Sequence, residues 1–213
     1  MGFLKYVIAG IIYVTLLSLS YGQNTDKLIM VIDPGHGGID TGAVGVNGVF
    51  EKDIVLSIAK KIDSLNANLF DDRFEIYLTR YRDTLISLSD RSELAKKLNA
   101  DIFISIHCNK AINRTASGTE VFIHPKSELQ AEESAYLGFT IQKGLANVLG
   151  IKNRDVKFGN FQVLRDNHNS SAVILLELGF LSQTDEAIYL SQEESQNAIA
   201  LVILQSIVKT LLL

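Results

Sequence analysis

Four polar residues, His36, Glu51, His107 and Glu177, end or follow apolar runs in this chain. The segment Val31-Ile32-Asp33-Pro34-Gly35-His36-Gly37-Gly38 passes from an apolar run into a glycine-rich turn. A strand that stops there presents His36 at a sheet edge, ringed by residues too small to cover it. Such loops also bind phosphates or make ordinary turns, so the other three residues carry the argument. Two histidines and two carboxylates are the components of a catalytic zinc site: three ligands, an open position for water and a carboxylate to move the proton.

Each residue has a plainer alternative. His36 could be a turn histidine with a structural hydrogen bond, and His107 a satisfied core histidine. In an extended Ser105-Ile106-His107-Cys108-Asn109, however, Ser105, His107 and Asn109 share one polar face at the end of a buried strand. Glu51, next to Lys52 and Asp53, could be a carboxylate at a helix N-terminus. Glu177 follows Ala172-Val173-Ile174-Leu175-Leu176, where a charge needs a metal, a cation or a raised pKa. Cys108 with a histidine base would suit a thiol hydrolase, but strand alternation turns it away from His107, and a buried cysteine is the commoner outcome. His124 and His168 read as surface residues of a strand end and a polar loop. Arg80 and Arg91 read as salt-bridge partners, with a substrate carboxylate as the lesser alternative.

The elements that must position these residues alternate between two periods. Strands are expected at residues 28–33, 74–79, 101–107, 119–123, 161–164 and 172–177. Helices are expected over residues 53–65, from 89 or 90 to 98, over 137–149 with Gly150 as a left-handed cap, and over 198–213. This alternation implies an α/β fold, a single domain with a six-stranded, mostly parallel or mixed sheet flanked by helices. Ligands of such sheets bind beyond the carboxyl ends of the strands, where His36, His107 and Glu177 all fall. Glu51 lies at the far end of a loop containing Gly42, Gly45 and Gly48, which can fold back to the same edge.

A chain of 213 residues, 47% hydrophobic and 21% charged, suits one sizeable core. Its net charge of -4 and pI near 5.6 give no reason to expect nucleic acid as a partner. Cys108 is the single cysteine, so no intramolecular disulfide can form. Residues 1–22 combine one lysine, an apolar stretch and small residues Ser20 and Gly22, and are expected to be a signal peptide, with an uncleaved anchor as the alternative. The protein is expected to be exported, to the periplasm in the first instance, with secretion or membrane anchoring by the leader as alternatives.

Asp33-Pro34-Gly35-His36-Gly37-Gly38, Glu51-Lys52-Asp53, Leu78-Thr79-Arg80, Ser105-Ile106-His107-Cys108-Asn109, Gly118-Thr119-Glu120-Val121 and Glu177-Leu178-Gly179-Phe180-Leu181 follow one another in that order. The series resembles the catalytic domain of the zinc-dependent N-acetylmuramoyl-L-alanine amidases, over residues 28–213. The resemblance implies Zn2+ held by His36, Glu51 and His107, and catalysis by Glu177. It implies peptidoglycan as substrate, cut at the amide joining N-acetylmuramic acid to the L-alanine of the stem peptide, in cell separation or turnover. Arg154 and Val163-Leu164-Arg165 match further family segments, while Asp155 stands where glycine is common. Some relatives carry a long insertion whose helix blocks the zinc until a partner removes it. The corresponding stretch here, residues 124–136, is short, so an open site is expected; neither a protein activator nor the oligomeric state is readable. Two other readings remain: a zinc peptidase acting within the stem peptide, and a non-catalytic peptidoglycan-binding domain, although all four positions carry residue types fit for chemistry.

Overall fold

β1 (Ile29–Pro34) is buried along nearly its whole length, because strands pair with it on both sides and helices cover both of its faces. In the computed structural model, which describes residues 27–126 and 130–211, it lies parallel to β2 (Glu75–Leu78) and β3 (Ile102–Asn109). β4 (Thr119–Ile123) runs antiparallel to β6 (Ala172–Phe180), which itself pairs parallel with β3. β5 (Asn153–Phe158) closes the edge beside β4, giving one six-stranded mixed sheet in the order β2-β1-β3-β6-β4-β5. The α/β expectation holds for the described residues. The expected signal peptide, residues 1–22, lies outside them.

The helices are α1 (Glu51–Leu69), α2 (Leu88–Leu98), α3 (Ala131–Leu149), α4 (Gln162–Asn167), α5 (Thr184–Ser191) and α6 (Glu193–Thr210). Ile32, Ile104, Ile106 and Leu176 point into a core shared with Ile58 of α1, Ile141 of α3 and Ile203 of α6. Val31, Phe103, Val173 and Leu175 point the other way, against Ala95 of α2 and Leu164 of α4. Alternation along each strand therefore sends Asp33, Ser105, His107 and Glu177 to the α2/α4 side, one step beyond the core. Full burial of side chains such as Ile54, Ile58 and Ile62 contributes about 2 kcal/mol each, so the sheet ends are fixed by packing on both sides.

Two element expectations are corrected. Residues 161–164 are not a strand: Phe161 is the N-cap of α4, and Val163 and Leu164 pack against the α2-side core. Three apolar residues interrupted by Gln162 are too few to fix a period, and the tertiary packing here selects the helix. The sixth strand is β5 instead, a half-exposed edge strand without an apolar run. The short helix α5, capped by Gln183, was also not expected from the apolar pattern. Gly150 does close α3 in the left-handed conformation, with φ 69°. Among the described residues, no helix is long and apolar enough to cross a membrane.

Candidate metal centre and active site

His36 adopts φ 58°, a left-handed conformation that costs a histidine about 1–2 kcal/mol. Two buried arginines hold the turn from beneath. Arg91 Nη1 donates to Asp33 Oδ1 at 2.6 Å and to the Pro34 carbonyl at 2.9 Å, and Arg91 Nη2 to the His36 carbonyl at 2.7 Å. Arg80 donates through Nε to the Pro34 carbonyl at 2.9 Å, and through Nη2 to the carbonyls of Gly35 and Lys52, each at 2.8 Å. Arg91 thus forms the expected ion pair, whereas Arg80 is occupied with backbone carbonyls. Asp33 also accepts from the hydroxyls of Thr79 and Ser105, so the end of β1 is tied to β2, β3 and α2 together.

Glu51, the first residue of α1, swings its carboxylate back over this turn. Its Oε1 lies 3.1 Å from His36 Nε2 and 2.9 Å from His107 Nδ1, and accepts from the Cys108 amide at 3.0 Å. Its Oε2 accepts from the Ala43 amide at 2.7 Å. Burial alone would raise the Glu51 pKa, but the hydrogen bonds and charges of His107 and His36 outweigh it and bring the group to about 2. Two glycines make room. A first side-chain carbon on Gly35 would lie 2.2 Å from His107 Cε1, and one on Gly42 would lie 2.4 Å from Glu51 Oε2.

His36, Glu51 and His107 thereby form a group whose ligand atoms all lie within 4.8 Å of one another. Ligands about 2.1 Å from a shared ion in tetrahedral array stand roughly 3.4 Å apart, close to the spacings found here. The two imidazoles meet edge to face, with centroids 5.0 Å apart, and the donor set of two nitrogens and a carboxylate fits a divalent metal ion.

Glu177 stands directly across from His107 in the β3–β6 register. Burial raises its carboxyl to about 7, against the opposing pull of His107. Its Oε2 is buried without a hydrogen-bond partner, the only ionisable side chain among the described residues in that state. All four residues open onto one cleft of about 940 Å³ between the sheet ends and the start of α2.

Asp40 was not singled out by the sequence, and Glu120 entered there only as part of a motif. Asp40 Oδ2 lies 2.8 Å from His36 Nδ1, where it orients the ring; its only local sign is a carboxylate four residues on in a glycine-rich loop. Glu120 faces Glu177 across β4 and β6, and accepts from Arg154 and Lys157. Cys108 is buried with its thiol pKa pushed up, as a packing residue would be. His124 corrects the expectation of a surface residue: it is 5% exposed, and its ring centroid is 4.5 Å from that of half-buried His168.

The family model described as N-acetylmuramoyl-L-alanine amidase matches residues 30–209. The chain belongs to that family. The amidase is 35% identical to amidase AmiC2 of Nostoc punctiforme, covering 89% of this chain and 100% of that one with a TM-score of 0.79. It is 36% identical over 176 residues to the uncharacterized protein YqiI of Bacillus subtilis, covering 83% of this chain and 81% of that one. Amidase AmiA of Escherichia coli is 50% identical over 96 residues, covering 45% of this chain; the match spans only 32% of that longer protein. The CwlD amidase of Clostridioides difficile, 31% identical over 87% of this chain and 98% of that one with a TM-score of 0.78, was solved in complex with the GerS lipoprotein.

Proposed function

We infer that this amidase holds Zn2+ on His36, Glu51 and His107 and moves protons with Glu177 while cleaving the bond between N-acetylmuramic acid and L-alanine in peptidoglycan. The supporting observation is the convergence of the two imidazoles on Glu51 Oε1 directly beside a buried carboxyl poised near neutrality. When bound, zinc acts as a Lewis acid that polarises the scissile carbonyl and makes a neighbouring water more acidic. Glu177 accepts the proton of the attacking water and returns it to the departing amine of L-alanine, general base and then general acid. Asp40 fixes the tautomer and direction of His36, and Arg91 and Arg80 keep its backbone in place.

The test is mass spectrometry of peptidoglycan digested by the full chain, with chelator and then with zinc restored. Chelator-sensitive release of intact stem peptides beginning at L-alanine is expected; internal cuts would replace the amidase with a zinc peptidase. Glu177→Ala should retain zinc and lose at least about a hundredfold in turnover, whereas His36→Ala should lose the metal too. Activity is expected without an added protein, because residues 124–136 are short for a blocking insertion. Dependence on a purified partner would overturn that. The substrate lies outside the cytoplasmic membrane, which fits export through the signal peptide expected at residues 1–22.

A further inference from the structure

β5 carries a bulge that aims two cations at one place. Asp155 has φ 68°, and the β4–β5 register slips between Thr119 and Val121. In a regular strand, residues three apart face opposite sides of the sheet. The bulge instead brings both Arg154 Nε and Lys157 Nζ onto Glu120 Oε1, at 2.8 and 2.5 Å. Buried Gln142 pins the distortion from α3 by donating to the carbonyls of Thr119 and Asp155. Phe180 lies under the Arg154 guanidinium, 5.1 Å from its ring centroid.

This cluster has cationic capacity to spare. Glu120 is one carboxylate between two cations, and its other oxygen accepts from Asn109, which lines the cleft. Arg154 Nη2 has no partner among the described residues, and Lys157 Nζ makes a single hydrogen bond. Around the cleft, the carboxyl groups of Asp33, Asp40, Glu51, Asp90 and Glu177 outnumber the cations Arg91 and Lys110. An anionic substrate group therefore finds its complement at the β5 edge rather than at the metal centre.

The geometry points to Arg154 and Lys157 as a carboxylate subsite for the leaving peptide, selecting stems whose second residue carries a free carboxylate. The inference rests on the amidase reading, which places the departing nitrogen at Glu177. β5 lies two strands from Glu177, roughly 10 Å, and an extended peptide advances roughly 3.4 Å per residue. A carboxylate on the second residue then comes within reach of two long cationic side chains, where Arg154 can offer a planar pair of donors.

The experiment titrates the Zn2+-loaded full chain with L-alanyl-D-glutamate γ-methylamide, whose second residue keeps one free carboxylate, and with the α-carboxamide of that compound, which has none, by calorimetry. The unaltered protein should bind the carboxylate form about tenfold more tightly. The double variant Arg154→Gln/Lys157→Gln should bring the two dissociation constants together, while the charge-preserving Arg154→Lys keeps a preference. No preference in the unaltered protein, or equal weakening of both peptides in the double variant, would overturn the subsite. Turnover of intact muropeptides, followed in parallel, reports on the amidase reading separately. Preference without turnover keeps the subsite and removes the amidase; turnover without preference does the reverse.

Discussion

Arg91 Nη1 stands 2.6 Å from Asp33 Oδ1, with both side chains sealed from solvent beneath the His36 turn. Removing one partner strands the other charge where water cannot reach it. Arg91→Met is expected to destabilise the protein by about 3–5 kcal/mol in urea unfolding. The double variant Asp33→Asn/Arg91→Met should recover part of that loss. Equal stability of the single variant and the unaltered protein would mean that the pair carries no net weight.

Metal binding should release a proton from His36. Burial alone would lower its pKa, but the carboxylates of Glu51 and Asp40 outweigh burial and raise it to about 9 in the metal-free protein. Glu51, held at about 2, is already deprotonated. Zn2+ must displace the His36 proton, so its affinity should rise about tenfold per pH unit between about pH 6 and 8. Calorimetry in buffers of different ionisation heat would count the proton. A flat pH profile would argue against His36 as a ligand.

Glu177 makes the metal-free protein less stable as pH rises. Its carboxyl is raised from 4.5 to about 7 by burial, so between those values the folded state binds more protons than the unfolded one. Stability contributed by this group is greatest below 4.5 and falls as pH climbs through about 7. Relative to Glu177→Gln, the unaltered apoprotein should lose on the order of 2–3 kcal/mol across that window. Comparing the two proteins separates Glu177 from His36, whose raised pKa acts in the same direction, and from Glu51, whose lowered pKa acts in the opposite one. Parallel stability curves would sink the idea.

Gly35→Ala and Gly42→Ala should damage the metal centre without unfolding the domain. The new carbon at position 35 meets the His107 ring, and the one at 42 meets Glu51 Oε2 at a residue with φ 64°. Equilibrium dialysis should show zinc content falling in both variants while circular dichroism is retained. Full zinc occupancy in Gly35→Ala would show that His107 can move aside at no cost.

Asp155 tests the bulge directly. Asp155→Gly relieves a left-handed aspartate and is expected to change stability by less than about 1 kcal/mol, in the stabilising direction. Asp155→Val should cost about 1–2 kcal/mol or more, because a β-branched residue is poorly accommodated at φ 68°. Thermal melts of the pair decide it, and a tolerated valine would indicate that the bulge relaxes.

Where the apolar runs are long, local sequence is enough. Leu28 to Ile32 and Val173 to Leu176 announce buried strands, and Leu137, Ile141 and Leu145 announce α3, because burial on a repeating backbone leaves a repeating trace. The same rule places His36 just past the end of β1 and His107 near the end of β3, whereas β6 runs on beyond Glu177 to a buried Phe180. β5 leaves no such trace. Its edge position needs few apolar residues, and the left-handed Asp155 breaks the period of two, so the neighbouring residues 161–164, three of them apolar, resemble a strand more than β5 does.

The residue types and their placement at the carboxyl edge were thus determined by the sequence itself, through turn chemistry and hydrophobic periodicity that act over a few residues. Which atoms meet was decided only by the tertiary structure. Glu51 reaches His107 across 56 positions, and Arg91 reaches Asp33 across 58. Arg80 turns inward to four backbone carbonyls, His124 is covered by the fold, and Glu120 is caught between Arg154 and Lys157. Those meetings depend on strand register, on one bulge and on which helix covers which face. These are properties of the assembled sheet, and none leaves a signature in the residues next to it along the chain.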